Sequence, residues 1–95
     1  MFLGIYRFEG DVSELLPAYE RLLESIPSDT LSLHVCVQDA GGLWVYDTCP
    51  SKDVFQSFAS SAGFHDAVKA AGLPPPKVSL SGNVHSAIVS GKRVI

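Results

Sequence analysis

The chain has 95 residues, enough for one domain. Of these residues 46% are hydrophobic and only 18% are charged. The excess of apolar residues predicts an interface with a second copy, and hence a homodimer. Its seven basic residues are scattered and the formal net charge is -3, which argues against a nucleic-acid partner. Apolar runs too short to span a membrane, and a first strand without a basic leader, predict a cytoplasmic protein with no membrane partner.

The first two predicted elements are a strand and an amphipathic helix. Aromatic and aliphatic residues dominate from Phe2 to Phe8, which predicts a strand. Apolar residues then recur at steps of three and four from Val12 to Ile26 and predict a helix. Pro17 cannot donate a helical hydrogen bond, so we expect either that regular helix begins near Glu14, with the proline in its first turn, or that the helix kinks.

A β-hairpin is predicted next. Leu31 to Gln38 alternates apolar and polar residues, and the extended pattern resumes from Leu43 to Cys49 after a turn rich in glycine. If the turn is centred on residues 40 and 41, the numbers of opposed residues sum to 81. His34 is then predicted to face Asp47.

The two faces of this hairpin differ in polarity, which suggests which of them the helices cover. We expect the helices to lie over the more apolar face: Leu31, Leu33, Val35, Val37, Trp44, Tyr46 and Thr48. We expect a dimer mate to enclose the mixed face: Ser32, His34, Cys36, Leu43, Val45, Asp47 and Cys49. The two cysteines would lie roughly 13 Å apart, beyond the ~7 Å limit for a disulfide, so two free thiols are predicted.

The rest of the chain predicts one helix and one more strand. Ser51 is a good N-cap for a helix that could bend at Gly63 and that ends at Gly72, before three prolines. A last strand is predicted over residues 78–89, with a bulge at Gly82. The order βαββαβ predicts an α+β, ferredoxin-like fold: a four-stranded antiparallel sheet with two helices on one face. We expect one domain of residues 1–89 and a C-terminal tail, 90–95.

The His34 and Asp47 pair is the strongest chemical signal in the sequence. A carboxylate opposite an imidazole fixes the tautomer of the ring, and histidine ionises near neutrality, so the pair suits general acid–base catalysis. The alternative is an ion pair or hydrogen bond that only satisfies two buried polar groups. Tyr6, on the neighbouring strand, either adds a phenolic donor to a pocket or packs in the core.

The other histidines give weaker signals. His65 lies on the predicted second helix, where we expect it to be exposed, and His85 lies on the last strand, where a bulge could turn it to either face. Three isolated histidines without ligand spacing predict no metal site. No phosphate loop, dinucleotide fingerprint or nucleophile elbow is present in the sequence, so no cofactor is predicted.

Several short segments, weak individually, occur in an order that resembles a known superfamily: Tyr6-Arg7-Phe8, Leu33-His34-Val35, Val45-Tyr46-Asp47 followed by Ser51 and Phe55, and Ala71-Gly72-Leu73-Pro74-Pro75-Pro76 leading to Val84-His85. The chain resembles the dimeric α/β-barrel superfamily, particularly small uncharacterised bacterial members related to antibiotic-biosynthesis monooxygenases. The resemblance implies head-to-head sheet dimers that form a barrel, with ligands between sheet and helices or in the barrel interior. It also implies that Tyr6, His34 and Asp47 line the pocket.

One position departs from the pattern that this superfamily suggests. Relatives usually have a tryptophan where this chain has Cys49. The Asn, Trp and His trio of the haem-degrading branch corresponds to Tyr6, Cys49 and Ala59, so the resemblance implies no axial ligand and no haem.

The expected function is therefore binding of a small hydrophobic or aromatic metabolite by a dimer. A catalytic version would be a cofactor-independent monooxygenase or isomerase, in which His34 is the acid or base, Asp47 orients it and Tyr6 positions the substrate. Further ligand contacts are expected from Cys36, Val45 and Cys49. The alternative is a non-catalytic binding or accessory dimer in which the same pair is structural, and the sequence leaves the choice open.

Overall fold

The described residues of the computed structural model, 1–27 and 32–95, form an α+β fold in which helices pack on an antiparallel sheet. The predicted start of the second strand, at Leu31, lies outside these residues. The elements in chain order are β1 (Phe2–Glu9), α1 (Val12–Glu24), β2 (His34–Asp39), β3 (Gly42–Cys49), α2 (Lys52–Ala59), α3 (Ala62–Ala71), β4 (Lys77–Asn83), β5 (Ile88–Val89) and β6 (Lys92–Arg93).

The sheet formed by β1 to β4 follows the prediction. It has four antiparallel strands in the order β2-β3-β1-β4. The hairpin register is also confirmed, since His34 pairs with Asp47. β4 pairs with β1, and the register shifts between Leu3 and Gly4 beside the predicted bulge residue, Gly82. The sheet therefore brings β1 and β3 together at its centre, with β2 and β4 at its edges.

The helices cover the hairpin face opposite to the one that the sequence pattern indicated. Phe2, Tyr6 and Phe8 of β1 are buried, and their partners on β3 lie on the mixed face, which carries His34 and Asp47. The prediction was wrong because it considered the hairpin alone, and both faces of the hairpin carry apolar residues. The aromatic side chains of β1 decide the question, since they need the deepest burial.

Helix α1 begins earlier than Pro17 alone would suggest. The Asp11 carboxylate caps it by accepting a hydrogen bond from the backbone N–H of Ser13 at 2.9 Å. Pro17 therefore lies inside the helix rather than in its first turn, which corrects the expected start near Glu14. Both Pro17 and Ser13, whose carbonyl loses its helical donor, are exposed, so water can satisfy that carbonyl.

The predicted second helix is two helices, α2 and α3, and the break lies before Gly63. The Ser60 hydroxyl donates to the Gln56 carbonyl at 2.7 Å, and the Ser61 hydroxyl donates to the Phe58 carbonyl at 2.7 Å. These bonds use carbonyls at the end of α2, where serine competes with the helical backbone. The Ser61 oxygen then caps α3, which ends as predicted at Gly72 in a left-handed conformation, φ 90°.

The C-terminal part also differs from the prediction. β4 ends at Asn83, six residues before the predicted end of the last strand at Val89. Residues 88–93 form a separate two-stranded sheet, in which Val89 pairs with Lys92. The predicted boundary between residues 89 and 90 falls within this small hairpin.

Close packing between α2 and the sheet depends on Gly4. Phe55 of α2 is fully buried, and its ring lies against those of Phe2 and Tyr6 at centroid distances of 5.9 and 5.3 Å. A Cβ on Gly4 would lie 2.0 Å from two atoms of the Phe55 ring. The missing side chain therefore lets α2 rest directly on β1. Within the described residues, no helix is long and apolar enough to cross a membrane.

The face of the sheet away from the helices is largely apolar. We call it the open sheet face, and it carries Leu3, Ile5, Val35, Val37, Trp44 and Tyr46. At one end Arg7 forms two hydrogen bonds of 3.1 Å with Asp39 and lies 4.4 Å from the centre of the Trp44 ring. Hydrogen bonds from Arg7 and Trp44 and from the Gly41 backbone lower the pKa of Asp39 to about 2.

Candidate functional site

A cavity of about 270 Å³ lies between the covered face of the sheet and the helices. Its walls are mainly apolar, and side chains from all three helices contribute to them: Leu22 and Ile26 from α1 and its end, Val54 and Phe58 from α2, and Phe64 from α3. Val54 and Phe58 are 46% and 43% exposed, so they lie at the mouth of the cavity.

The sheet contributes the polar part of the lining. Tyr6, His34 and Asp47 all line the cavity. The Tyr6 hydroxyl, His34 Nδ1 and Asp47 Oδ1 are buried and have no hydrogen-bond partner within the part of the chain that the structure describes. A buried polar atom without a partner costs roughly 1 to 3 kcal/mol. Two of these atoms, His34 Nδ1 and Asp47 Oδ1, lie 3.6 Å apart as an ion pair, which is too long for a hydrogen bond. The Tyr6 hydroxyl has no hydrogen bond among the described residues. The cavity wall therefore keeps polar groups that a ligand can satisfy.

A second tyrosine, Tyr19, holds the imidazole of His34 in place. The Tyr19 hydroxyl oxygen lies 2.6 Å from His34 Nε2, and the two rings stack at an angle of 11°. His34 Nδ1 lies 3.6 Å from Asp47 Oδ1. A nitrogen that faces a carboxylate is best protonated, so we assign a proton to Nδ1 and a donating hydroxyl to Tyr19. The three side chains form a line from α1 to β3.

Both phenols in the cavity keep their protons over the ordinary pH range. Burial, followed by the charges of Asp47 and Cys49, raises the pKa of Tyr6 far above its usual value. Burial also raises the pKa of Tyr19 to about 12, with smaller contributions from Cys36, Glu20 and Asp47. Tyr6 lines the cavity, and its hydroxyl is consequently a hydrogen-bond donor.

The structure brings five of the six predicted site residues together. Tyr6, His34, Val45, Asp47 and Cys49 line the cavity, whereas Cys36 lies on the same face but outside the lining. Both cysteines are free, as predicted. Burial raises the pKa of each thiol, with a further contribution from Glu20 at Cys36 and from Asp47 at Cys49.

Tyr19 is the site residue that the sequence analysis missed. It belongs to the apolar stripe of α1, where an aromatic residue is typical of a core position. Tyr19 and His34 are fifteen residues apart along the chain, so no local sequence pattern indicates that their side chains are in contact. A buried tyrosine hydroxyl needs a hydrogen-bond partner, and that requirement was the only available indication.

The remaining histidines lie outside this site. His65 is exposed on α3, as expected, and its ring meets that of Phe64 edge-on at 5.8 Å. His85 follows β4 and is exposed. Within residues 1–27 and 32–95, no group of three or more histidine, cysteine, aspartate or glutamate side chains is arranged to hold a metal ion.

Comparisons with known proteins do not identify a family for this chain. No protein family, no curated protein and no solved structure gives a match to the chain. The resemblance to the dimeric α/β-barrel superfamily therefore stays a prediction from the sequence, and the function has to be argued from the cavity.

Proposed function

We propose that the chain binds a small, largely apolar molecule in the cavity between its sheet and helices. The observation that carries this proposal is that the Tyr6 hydroxyl, His34 Nδ1 and Asp47 Oδ1 form no hydrogen bond among the described residues, at the wall of a mainly apolar cavity. A cavity of about 270 Å³ is near the lower end of the ~300–1,000 Å³ typical of small-molecule pockets. A ligand with one polar group and an apolar body would match both parts of the lining.

The polar groups also support a catalytic version of this proposal. His34 would act as the acid or base, Asp47 would orient it, and Tyr6 would position the substrate, as in an isomerase or a cofactor-independent monooxygenase. Proton transfer is the chemistry that an imidazole beside a carboxylate supplies. The Nδ1 of His34 supports this role, because it faces Asp47 and has no hydrogen-bond partner among the described residues.

A non-catalytic binding protein is the second candidate, and one observation favours it. His34 Nε2 is already occupied by the Tyr19 hydroxyl at 2.6 Å, which is what a structural histidine requires. Replacing His34 with Ala separates the two versions. The catalytic version predicts loss of turnover with ligand binding retained. The binding version predicts only a loss of stability, roughly 1 to 3 kcal/mol if Asp47 is left without its neighbour.

Blocking the cavity mouth tests the shared part of the proposal. Val54→Trp would fill the mouth, and because Val54 is 46% exposed, the larger ring should not prevent folding. Binding can be followed with N-phenyl-1-naphthylamine, a neutral apolar dye whose fluorescence rises in a dry site. We expect saturable binding to the unchanged protein and a large loss in the variant.

The matched control is Val89→Trp, since Val89 is 48% exposed and lies on the small C-terminal sheet, outside the cavity. It should bind the dye as the unchanged protein does. Equal binding by all three proteins would place the dye elsewhere and contradict the proposal.

We also propose that two copies associate through the open sheet face. Val35 and Val37 on this face are 44% and 45% exposed. The charges at one end of the face are paired within the chain, Arg7 with Asp39 at 3.1 Å and Lys77 with Glu9 at 2.6 Å. Such a face can meet its own copy without burying an unpaired charge. Two ferredoxin-like sheets facing each other would form the dimeric α/β barrel that the sequence resemblance implies.

The dimer is tested by sedimentation equilibrium. Val37→Lys would bury two ammonium groups in the interface and should yield a monomer, whereas Val89→Lys should leave the mass unchanged. A monomeric unchanged protein at about 100 µM would refute the interface.

A further inference from the structure

The polar end of the cavity combines a donor and an acceptor with a negative charge. Tyr6 is 3% exposed, and its hydroxyl has no partner in the described chain. Asp47 Oδ1 is buried and accepts no hydrogen bond there, and its ion-pair neighbour, His34 Nδ1, lies 3.6 Å away. Among the described residues, no lysine or arginine lines the cavity. The ligand group that fits this end must therefore satisfy two different requirements without relying on a basic side chain.

The two unpartnered atoms have opposite hydrogen-bonding roles. The Tyr6 hydroxyl keeps its proton, because burial first and Asp47 second raise its pKa far above the usual value, so it offers an O–H to the cavity. A carboxylate oxygen accepts hydrogen bonds and donates none. Tyr6 pairs with Val45, and Asp47 lies two residues further along β3 on the same face of the sheet. The two side chains are therefore diagonal neighbours, and one ligand group can lie between them.

Most common polar groups satisfy only one of these atoms. A carboxylate or phosphate would accept from Tyr6 but would be repelled by Asp47. An ether or ketone would accept from Tyr6 and donate nothing to Asp47 Oδ1. An ammonium group would donate to Asp47 but has no lone pair for Tyr6, and an amide donates and accepts only through two separate atoms. A hydroxyl group donates and accepts through one oxygen, and it adds no charge to the cavity.

We infer that the cavity takes neutral apolar molecules that carry a hydroxyl group, alcohols or phenols, which donate to Asp47 Oδ1 and accept from the Tyr6 hydroxyl. This inference rests on the proposed function, because it names the ligand class for the same cavity. His34 helps to position Asp47, since its Nδ1 lies 3.6 Å from Asp47 Oδ1 and its Nε2 is hydrogen-bonded to the Tyr19 hydroxyl.

A panel of naphthalene derivatives tests the inference on the unchanged protein by isothermal titration calorimetry. 2-Naphthol supplies donor and acceptor, and 2-methoxynaphthalene supplies the acceptor alone. 2-Naphthoate and 2-(aminomethyl)naphthalene supply the anion and the cation, and 2-naphthamide supplies a neutral donor and acceptor on two separate atoms. We expect 2-naphthol to bind at least about tenfold more tightly than the ether, the anion and the cation, since leaving one buried polar atom unpaired costs about that factor, and more tightly than the amide. Equal or tighter binding of any of these four compounds overturns the hydroxyl assignment.

Two tyrosine variants show where the preference arises. Tyr6→Phe keeps the ring and removes the donor, so the preference for 2-naphthol over 2-(aminomethyl)naphthalene, which has no lone pair for Tyr6, should fall by at least about threefold. The preference over the methyl ether arises at Asp47 and should stay. Tyr46→Phe, on the open sheet face, should keep both preferences. An unchanged preference over 2-(aminomethyl)naphthalene in Tyr6→Phe would overturn the role of Tyr6.

The outcomes separate this inference from the proposed function. If all five compounds bind alike, the cavity still binds apolar molecules and only the hydroxyl assignment fails. If none binds up to its solubility limit, while the dye also fails to bind, the proposed function fails and this inference fails with it.

Discussion

Replacing Gly4 with alanine is the most direct test of how the helices are seated on the sheet. The new Cβ would lie 2.0 Å from Cε1 and Cζ of Phe55, whereas carbon atoms in contact are ~3.5–4.0 Å apart. The ring would therefore have to move by about 1.5 Å. Phe55 is fully buried against Phe2 and Tyr6, so the ring cannot move without disturbing the cavity wall formed by Tyr6.

The expected cost can be bracketed from the two ways in which the protein could respond. Overpacking that is absorbed by small shifts costs about 1–3 kcal/mol. Complete loss of the Phe55 packing would cost about 3–5 kcal/mol, as for truncation of a buried phenylalanine. We therefore expect Gly4→Ala to lower the free energy of unfolding by about 2–4 kcal/mol, measured by urea denaturation monitored by circular dichroism.

Two comparisons make this prediction specific. Gly82→Ala is the matched control in the same sheet, because a Cβ there would meet no atom within 4 Å, and we expect a change of no more than about 1 kcal/mol. Gly4→Ala should cost much less in a Phe55→Ala background, since alanine has none of the three ring atoms that the new Cβ would meet, Cδ1, Cε1 and Cζ. Equal effects of the two glycine substitutions would refute the packing argument.

Three further predictions concern charge, tautomer and access. The pKa of Asp39 is lowered from 3.8 to about 2 on folding. This group therefore stabilises the fold above about pH 4, and its contribution is lost as the pH falls through 2. Asp39→Asn should flatten the dependence of the urea midpoint on pH between pH 5 and 2, and an unchanged dependence would contradict the ion pair. Long-range ¹H–¹⁵N spectra should show His34 protonated at Nδ1. Tyr19→Phe should shift the Nε2 signal of His34 and lower the free energy of unfolding by about 1 kcal/mol. A proton found on Nε2 alone would reverse our assignment. Bound 2-naphthol should slow the alkylation of Cys49, which lines the cavity, and leave Cys36 unaffected, whereas equal protection of both thiols would mean a general stabilisation.

The sequence was sufficient for the strand pairing because local rules determine it. A two-residue turn and the alternation of the hairpin allow one register that keeps each side chain on a consistent face, and His34 opposite Asp47 follows from it. The covered face could not be chosen from the hairpin, since both faces carry apolar residues. That choice depends on β1, where Phe2, Tyr6 and Phe8 are buried together.

The candidate site was partly predictable for the same reason. Tyr6, His34 and Asp47 could be placed near each other from the strand order and the register. Tyr19 could not, because its contact with His34 joins a helix to a sheet edge, and no periodic pattern specifies which helical residue reaches that edge. The split between α2 and α3 depends on serine hydroxyls that compete with helical backbone bonds, a competition that helical periodicity does not report.

Binding inside the cavity can be observed residue by residue in methyl ¹H–¹³C spectra of the protein titrated with 2-naphthol. If the cavity is the binding site, the methyl signals of Leu22, Ile26 and Val54 should shift and reach saturation together, because these side chains form its walls. The signals of Val35 and Val37, on the open sheet face, should stay in place. Shifts confined to those two valines, or no shifts at saturating ligand, would contradict binding in the cavity.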